Sequence, residues 1–160
     1  MREKILRIIE TDSRVGISDL AVRLGESEID IANELAALEE EGNICGYHTL
    51  IDWEKTNLEK VSALIEVKVT PQRGQGFDHM AERIYRYPEV NAVYLISGGY
   101  DLLVNLEGKS IKEIASFVSD KLSTLDNVLS TATHFILKKY KDHGVVLGAK
   151  HTDEREMLMS

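Results

Sequence analysis

The stretch VNAVYLISGGYDLLVNL, residues 90–106, organises the second half of this 160-residue chain. Its first eight residues are mostly apolar, with β-branched and aromatic side chains, which predicts a strand. Gly98 and Gly99 then turn the chain, and because they lack a Cβ they allow positive φ and a close approach of backbone amides. Apolar residues resume at Leu102, so the stretch predicts two strands, with Asp101 at the entrance to the second.

The segments around this pair complete a longer pattern. Residues 61–70, VSALIEVKVT, alternate apolar and polar side chains and predict a first strand. Helical periodicity follows in residues 77–87 and again in residues 110–125, and residues 128–140 predict a last strand. The order is βαββαβ, that of the ferredoxin-like split βαβ fold.

The first 42 residues have a helical period instead. Residues 2–10, 17–25 and 27–42 each predict a short helix with an apolar stripe. Ser18 and Ser27 are the expected N-caps, Asp30 is the partner of Ser27, and Gly25 and Gly42 are the expected helix ends. Two helices joined by a tight turn that contains Gly are typical of a helix-turn-helix, although a three-helix bundle that binds nothing has the same pattern.

A change of pattern after Gly42 marks the domain boundary. Ile44, Tyr47, Leu50 and Ile51 predict a strand or wing after the third helix. We therefore predict an α+β chain with a winged helix-turn-helix domain and a ferredoxin-like ligand and dimerisation domain. The expected segments are a DNA-binding domain at 1–50, a linker at 51–60, a ferredoxin-like domain at 61–141 and a tail at 142–160, which we expect to end in disorder.

The predicted strand at residues 90–97 is apolar on both faces. Val90, Ala92, Tyr94 and Ile96 would share one face, and Val93 and Leu95 the other; Leu103 and Leu129 extend the pattern. Two helices cover only one face of a four-stranded sheet, so something else must cover the second. The simplest cover is the same face of another copy, which predicts a two-fold homodimer.

Charge and composition limit the class of protein. The net charge is −8, and residues 1–50 hold five bases and eleven acids, whereas nucleic-acid binders are usually basic. Cys45 is the only cysteine, which favours a reducing compartment. No apolar run approaches the roughly 20 residues that span a bilayer, and the charged start is not a signal peptide. We expect a cytoplasmic protein without a membrane partner.

Other chemistries have little support in the sequence. Gly74 and Gly76 begin a dinucleotide-binding pattern, but its third glycine is replaced by His79, so a flexible loop is the better interpretation. The five histidines show no metal-ligand spacing, and no Ser, Cys or Thr lies in a nucleophile motif. We predict no catalytic residue, no metal and no cofactor.

Taken together, the chain resembles the Lrp/AsnC, or feast-or-famine, family of transcription regulators. The resemblance runs from Ile5 to about Lys141 and is most specific at residues 90–106 and 128–141. It implies a dimer formed through the sheet, which in the family often assembles further into octamers, and a small effector, commonly an amino acid, bound at contacts between dimers. The expected effector-binding residues are Gly98, Gly99, Tyr100 and Asp101 of the Gly-x-x-Asp turn, with Thr131 and Thr133.

The third helix departs from the family, because residues 27–41 contain six acids and no Arg or Lys. Basic residues are frequent in the family at the positions of Asn33, Glu34, Ala36 and Ala37. We still expect binding to double-stranded DNA, with a shallow salt dependence. Phosphate contacts would come from Arg14 and Arg23, and groove contacts from Ser27, Glu28, Asp30, Asn33, Glu34 and Ala37.

Two alternatives follow from the same resemblance. The chain could be a metabolite sensor that has lost DNA binding. Sirohaem decarboxylases share the two-domain fold, but they place His and Arg near the stretch that is SGGYDLL here, residues 97–103, which has neither. We therefore expect a regulator and not an enzyme.

Overall fold

The computed structural model describes residues 1–71, 73–74 and 76–148. The chain forms two compact units, one over Met1–Leu50 and the other from Ile51 onward. No helix in the described part of the chain has both the length and the apolar character of a membrane span.

Three helices build the first unit: α1 (Arg2–Thr11), α2 (Ile17–Leu24) and α3 (Glu28–Glu40). Their apolar stripes meet in a small core, as the helical periodicity predicted. The buried side chains of this core are Ile5, Leu20, Ala21, Ile31 and Leu38. Since burial of one Ile or Leu contributes roughly 1.5–3 kcal/mol, the core fixes one face of α3 and leaves the opposite face to solvent.

The turn between α2 and α3 is set by the residues at the helix ends. Gly25 ends α2 in the left-handed conformation, with φ of 69°, which favours glycine. Ser27 Oγ accepts a hydrogen bond from the Asp30 backbone N–H at 3.1 Å, so the predicted cap of α3 is confirmed. The predicted Ser18 cap is wrong, because α2 begins one residue earlier, at Ile17, without a side-chain cap.

The segment after α3 does not form the predicted strand or wing. Residues 43–52 contain no strand. The Ile44 N–H donates to the Leu38 carbonyl at 3.0 Å, and the Ile44 side chain packs against the three-helix core. Its apolar side chain therefore closes the C-terminal end of α3 instead of pairing with a neighbouring strand.

The second unit contains a four-stranded antiparallel sheet in the order β2-β3-β1-β4. Its elements are a short 3₁₀ helix (Trp53–Lys55), β1 (Val61–Val69), α4 (Asp78–Tyr85), β2 (Val90–Leu95), β3 (Leu102–Gly108), α5 (Ile111–Phe117) with a π turn (Val118–Leu122), and β4 (Val128–Phe135). The order is the predicted βαββαβ, so the ferredoxin-like fold is confirmed. β4 ends earlier than expected, at Phe135 instead of residue 140.

Strand register assigns each residue to one of two faces, because directly opposed residues of antiparallel strands point the same way. The helix face carries Ile65 and Val104, both fully buried under α4 and α5. The face without helices, called the open face here, carries Leu64, Glu66, Tyr94, Leu103, Asn105, Ala132 and His134. It mixes apolar and polar side chains.

The predicted division of β2 between the faces is partly wrong. The register shifts between Val90 and Ala92, so Val90 opposes Leu106 on the helix face while Ala92 opposes Asn105 on the open face. A β-bulge moves one residue to the other face, which strict alternation does not predict.

A small hairpin that the sequence analysis missed follows β4. Its strands are β5 (Lys141–Asp142) and β6 (Val145–Val146). The two turn residues, His143 and Gly144, have φ of 45° and 78°, as a type I′ turn requires. The predicted disorder of the tail concerns residues 149–160, which lie outside the described residues.

Candidate functional site

The outward face of α3 is opposite its buried stripe. Ile29 is 73 % exposed, and Asn33 and Ala36 are also exposed. At about 100° per residue, these three lie roughly 140–200° around the helix from the buried Ile31. This face is where a helix-turn-helix contacts the major groove. Its first turns carry one amide and two apolar side chains, and Glu40 shares it in the last turn.

Arg2 binds two acids of the C-terminal half of the helix-turn-helix. Its Nη1 and Nη2 donate to the two carboxylate oxygens of Glu41 at 2.6 and 2.8 Å, and its Nε donates to Glu34. The hydrogen bonds to Glu41 and then Glu34 raise the pKa of Arg2, and the Arg2 guanidinium lowers the pKa of Glu41. Glu34, predicted to face the groove, is thus placed against α1, with its side chain 20 % exposed.

Two further acids of α3 also have partners. The Ser27 hydroxyl donates to Asp30 Oδ2 at 2.6 Å, so both residues act in the helix cap. The Tyr47 hydroxyl donates to Glu39 Oε1 at 2.7 Å, and that hydrogen bond raises the pKa of Tyr47. Sequence reasoning missed both partners, for different reasons. Arg2 is distant in the chain from Glu34 and Glu41, and Tyr47 lies in the irregular segment that follows α3.

The other predicted DNA contacts lie on exposed parts of the first unit, with one exception. Arg14 lies in the turn between α1 and α2, and Arg23 in the last turn of α2, both exposed. Glu28 is exposed in the first turn of α3, whereas Ala37 is half-buried. Two arginines of the first unit are therefore exposed and available for phosphate.

In the second unit, Asp101 joins the ends of three strands. Its N–H donates to the Val67 carbonyl at 3.1 Å, and its carbonyl accepts from the Ile96 N–H at 2.8 Å. Its carboxylate Oδ2 accepts from the Val69 N–H at 2.9 Å. One carboxylate oxygen thus has a structural partner, and the group is held at one end of the sheet.

Gly98 and Gly99 do not use the positive φ that glycine allows. Neither residue has a positive φ, because the backbone bonds of Asp101 close the turn with ordinary conformations. A Cβ at Gly99 would meet nothing within 4 Å, and one at Gly98 would touch only Ile96 at 3.7 Å. The chain itself therefore does not require glycine here, and the space above Gly99 is open to an approaching group. Tyr100 beside them is half-buried.

Thr131 and Thr133 lie on the edge strand β4, on the helix face. Thr131 opposes Val67 and Thr133 opposes Ile65. Thr131 Oγ1 lies 3.3 Å from Ser123 Oγ, a hydroxyl that follows the π turn and that the sequence analysis did not select. Asp101 and Thr131 flank Val67 from opposite sides, so strand spacing puts them roughly 10 Å apart.

Outside these two regions, the relevant features are further pairs of titratable side chains and groups of them that could bind a metal ion. His134 Nε2 contacts Glu66 Oε2 at 2.6 Å on the open face. Within residues 1–71, 73–74 and 76–148, no group of three His, Cys, Asp or Glu side chains could hold a metal ion.

A helix-turn-helix unit followed by a ferredoxin-like domain is the architecture of a class of transcriptional regulators. The Lrp/AsnC ligand binding domain matches residues 62–146. The uncharacterized HTH-type transcriptional regulator YugG of Bacillus subtilis (strain 168) is 50% identical over 153 residues, which cover 95% of this chain and 92% of that protein. The chain therefore belongs to the Lrp/AsnC family of transcriptional regulators, and the relatives it matches are named as regulators and not as enzymes.

Solved structures agree with this assignment. An AsnC family transcriptional regulator from Agrobacterium tumefaciens superposes with a TM-score of 0.69 at 25% identity, over 88% of this chain and 91% of that one. A transcriptional regulator from Neisseria meningitidis in complex with L-Met gives 0.70 at 24% identity, over 92% and 95%. The second comparison shows the shared fold.

Proposed function

We propose that this regulator binds double-stranded DNA sequence-specifically, as a dimer or higher assembly in the cytoplasm, and responds to an amino acid. DNA contact would come from the outward face of α3, with Arg14 and Arg23 on phosphates. The observation that carries the effector proposal is the turn at residues 98–101, where Asp101 is held in place beside two glycines, with open space above Gly99.

The chemistry of that turn suits an amino acid. The second carboxylate oxygen of Asp101 is an acceptor for an ammonium group, and the turn amides are donors for a carboxylate. Thr131 opposes Val67 near the same end of the sheet, roughly two strand spacings away, and Thr133 opposes Ile65 at the middle of β1. The L-Met complex of the Neisseria meningitidis regulator, which shares this fold, supports an amino-acid ligand.

Dimerisation is proposed through the open face of the sheet. Leu64, Tyr94 and Leu103 on that face are apolar, and Tyr94 is 54 % exposed in the single chain. A second copy would remove these side chains from water, and a two-fold axis would pack the open face of one subunit against the open face of the other. Two linked helix-turn-helix units would also raise the effective concentration of each on one DNA.

The experiment is DNA binding by fluorescence anisotropy on the DNA upstream of the protein's own gene, with and without each amino acid. We expect binding at about 50 mM salt, and one or more amino acids should change its affinity. The plot of log K against log salt should have a shallow negative slope, because the slope is about −0.9 per phosphate neutralised and few phosphates are contacted. A folded protein that bound no upstream fragment would contradict the DNA part of the proposal.

The effector part has its own variant. Gly99→Val fills open space at ordinary φ, so its melting temperature should match the wild type while the response to the amino acid is lost. An unchanged response would move the effector site away from this turn.

A further inference from the structure

The charge of the outward face of α3 differs from the charge of the helix as a whole. Glu34 and Glu41 are bound by Arg2, Asp30 by the Ser27 hydroxyl and Glu39 by the Tyr47 hydroxyl. These contacts turn four of the carboxylates toward partners in the first unit.

Two acids remain to be placed relative to the outward face. Glu28 lies about 60° from Ile31 around the helix, away from the outward face. Glu40 does share that face, but it lies in the last turn, whereas base contacts come from the N-terminal part of a reading helix. The part of the face nearest the N-terminus of α3 is therefore formed by Ile29 and Asn33, with Ala36 less than one turn further on.

We propose that this face selects A·T base pairs, with Asn33 on adenine and with Ile29 and Ala36 on thymine methyl groups. The inference rests on the proposed DNA binding and names the base pairs that it prefers. An Asn amide can bond adenine N6 and N7 together, and apolar side chains contact the C5 methyl of thymine. Ile29, 73 % exposed, has an apolar group to bury there.

Guanine lacks a matching partner on the same surface. The commonest specific contact to guanine is Arg or Lys bonded to O6 and N7. No Arg or Lys occurs between Arg23 and Lys55, so none lies within α3. Glu and Asp can accept from cytosine N4, but Glu34 is bound to Arg2. Adenine and thymine are thus the bases whose groups find partners.

The test uses full-length protein and a synthetic duplex that carries the segment protected in footprinting of the upstream DNA. In a second duplex, uracil replaces thymine, which removes only the C5 methyl groups. In a third, 7-deazaadenine replaces adenine, which removes the N7 acceptor. We expect the wild type to bind the uracil duplex about fourfold more weakly for each methyl it buries. Loss of the adenine contact should weaken binding by roughly 5- to 150-fold.

Variants assign the effects to residues. Ile29→Ala should still bind but should distinguish thymine from uracil about fourfold less than the wild type does, because Ala36 still contacts a thymine methyl group. Asn33→Ala should lose sensitivity to 7-deazaadenine. Ile111→Ala and Asn57→Ala are matched controls, since they make the same changes at exposed positions of the second unit. Both should behave as wild type.

The outcomes separate the two proposals. Binding that is equal on all three duplexes, or a protected segment of G·C pairs alone, overturns A·T selection and leaves DNA binding intact. An absence of binding to every duplex by folded protein overturns the proposed function and this inference with it.

Discussion

Replacement of Asp101 by Ala should destabilise the second unit, because the carboxylate satisfies the backbone N–H of Val69 at 2.9 Å. Val69 is 5 % exposed, so water has little access to an N–H left without its partner. A buried donor without a partner costs about 1–3 kcal/mol. With a urea m-value of about 1–2 kcal/mol/M, a loss of 2 kcal/mol moves the midpoint down by roughly 1–2 M.

Asp101→Asn separates the structural role from the proposed effector role. The Asn side-chain oxygen can still accept from Val69, so the expected loss of stability is under about 1 kcal/mol. The amide carries no charge, and an ammonium group bonds it more weakly than a carboxylate. We expect the amino-acid affinity to fall roughly 5- to 30-fold, the difference of about 1–2 kcal/mol between charged and neutral hydrogen bonds.

Both quantities can be measured on the full chain. Trp53 is the only tryptophan, and it lies in the second unit with Lys60 Nζ 4.6 Å from its ring centroid, so its fluorescence follows unfolding of that unit. Calorimetry gives the effector affinity. The reasoning is refuted if Asp101→Ala is as stable as the wild type, or if Asp101→Asn loses as much stability as Asp101→Ala.

Two other predictions concern assembly and pH. Leu103→Asp, on the open face, should convert the dimer to a monomer in light scattering. Leu95→Asp makes the same change on the helix face and should leave the protein dimeric. A dimeric Leu103→Asp variant would exclude the open face as the interface. In an NMR titration, the pKa of Glu41 should lie below the ordinary glutamate value of about 4.3. The pairing of Glu41 with Arg2 therefore stabilises the fold above that pH, and this stabilisation is lost as the pH falls through the lower folded-state pKa. Arg2→Gln should return the titration midpoint toward the ordinary value, and an unshifted midpoint in the wild type would show that the pair does not persist in solution.

Much of the fold was predictable because burial imposes a period on the sequence. Ala63, Ile65 and Val67 alternate along β1, and all three are fully buried. Period alone could not show the bulge at Val90, which depends on how β2 pairs with β3. It also misassigned Ile44, whose apolar side chain fits a strand equally well but packs on the helices.

The candidate sites were less predictable, because their properties depend on partners far apart in the chain. The turn at residues 98–101 was found from its glycines, but the hydrogen bond between Asp101 and Val69 spans 32 positions and could not be read from the sequence. Because of that bond, a substitution of Asp101 alters stability as well as effector binding.

The acids of α3 show the same limit for DNA binding. Counted along the sequence, they predict a helix that phosphate repels. In the fold, Arg2 lies 32 positions from Glu34 and 39 from Glu41, and it binds both. What DNA would meet is therefore decided by the face and not by the total charge of the helix. The face carries Ile29, Asn33 and Ala36, with one acid, Glu40, at its C-terminal end and no basic residue, so affinity would have to come from base contacts and from several modules on one DNA more than from phosphate. Such a regulator would discriminate between sequences at low affinity per module, and its dependence on assembly would give the effector a means to control it.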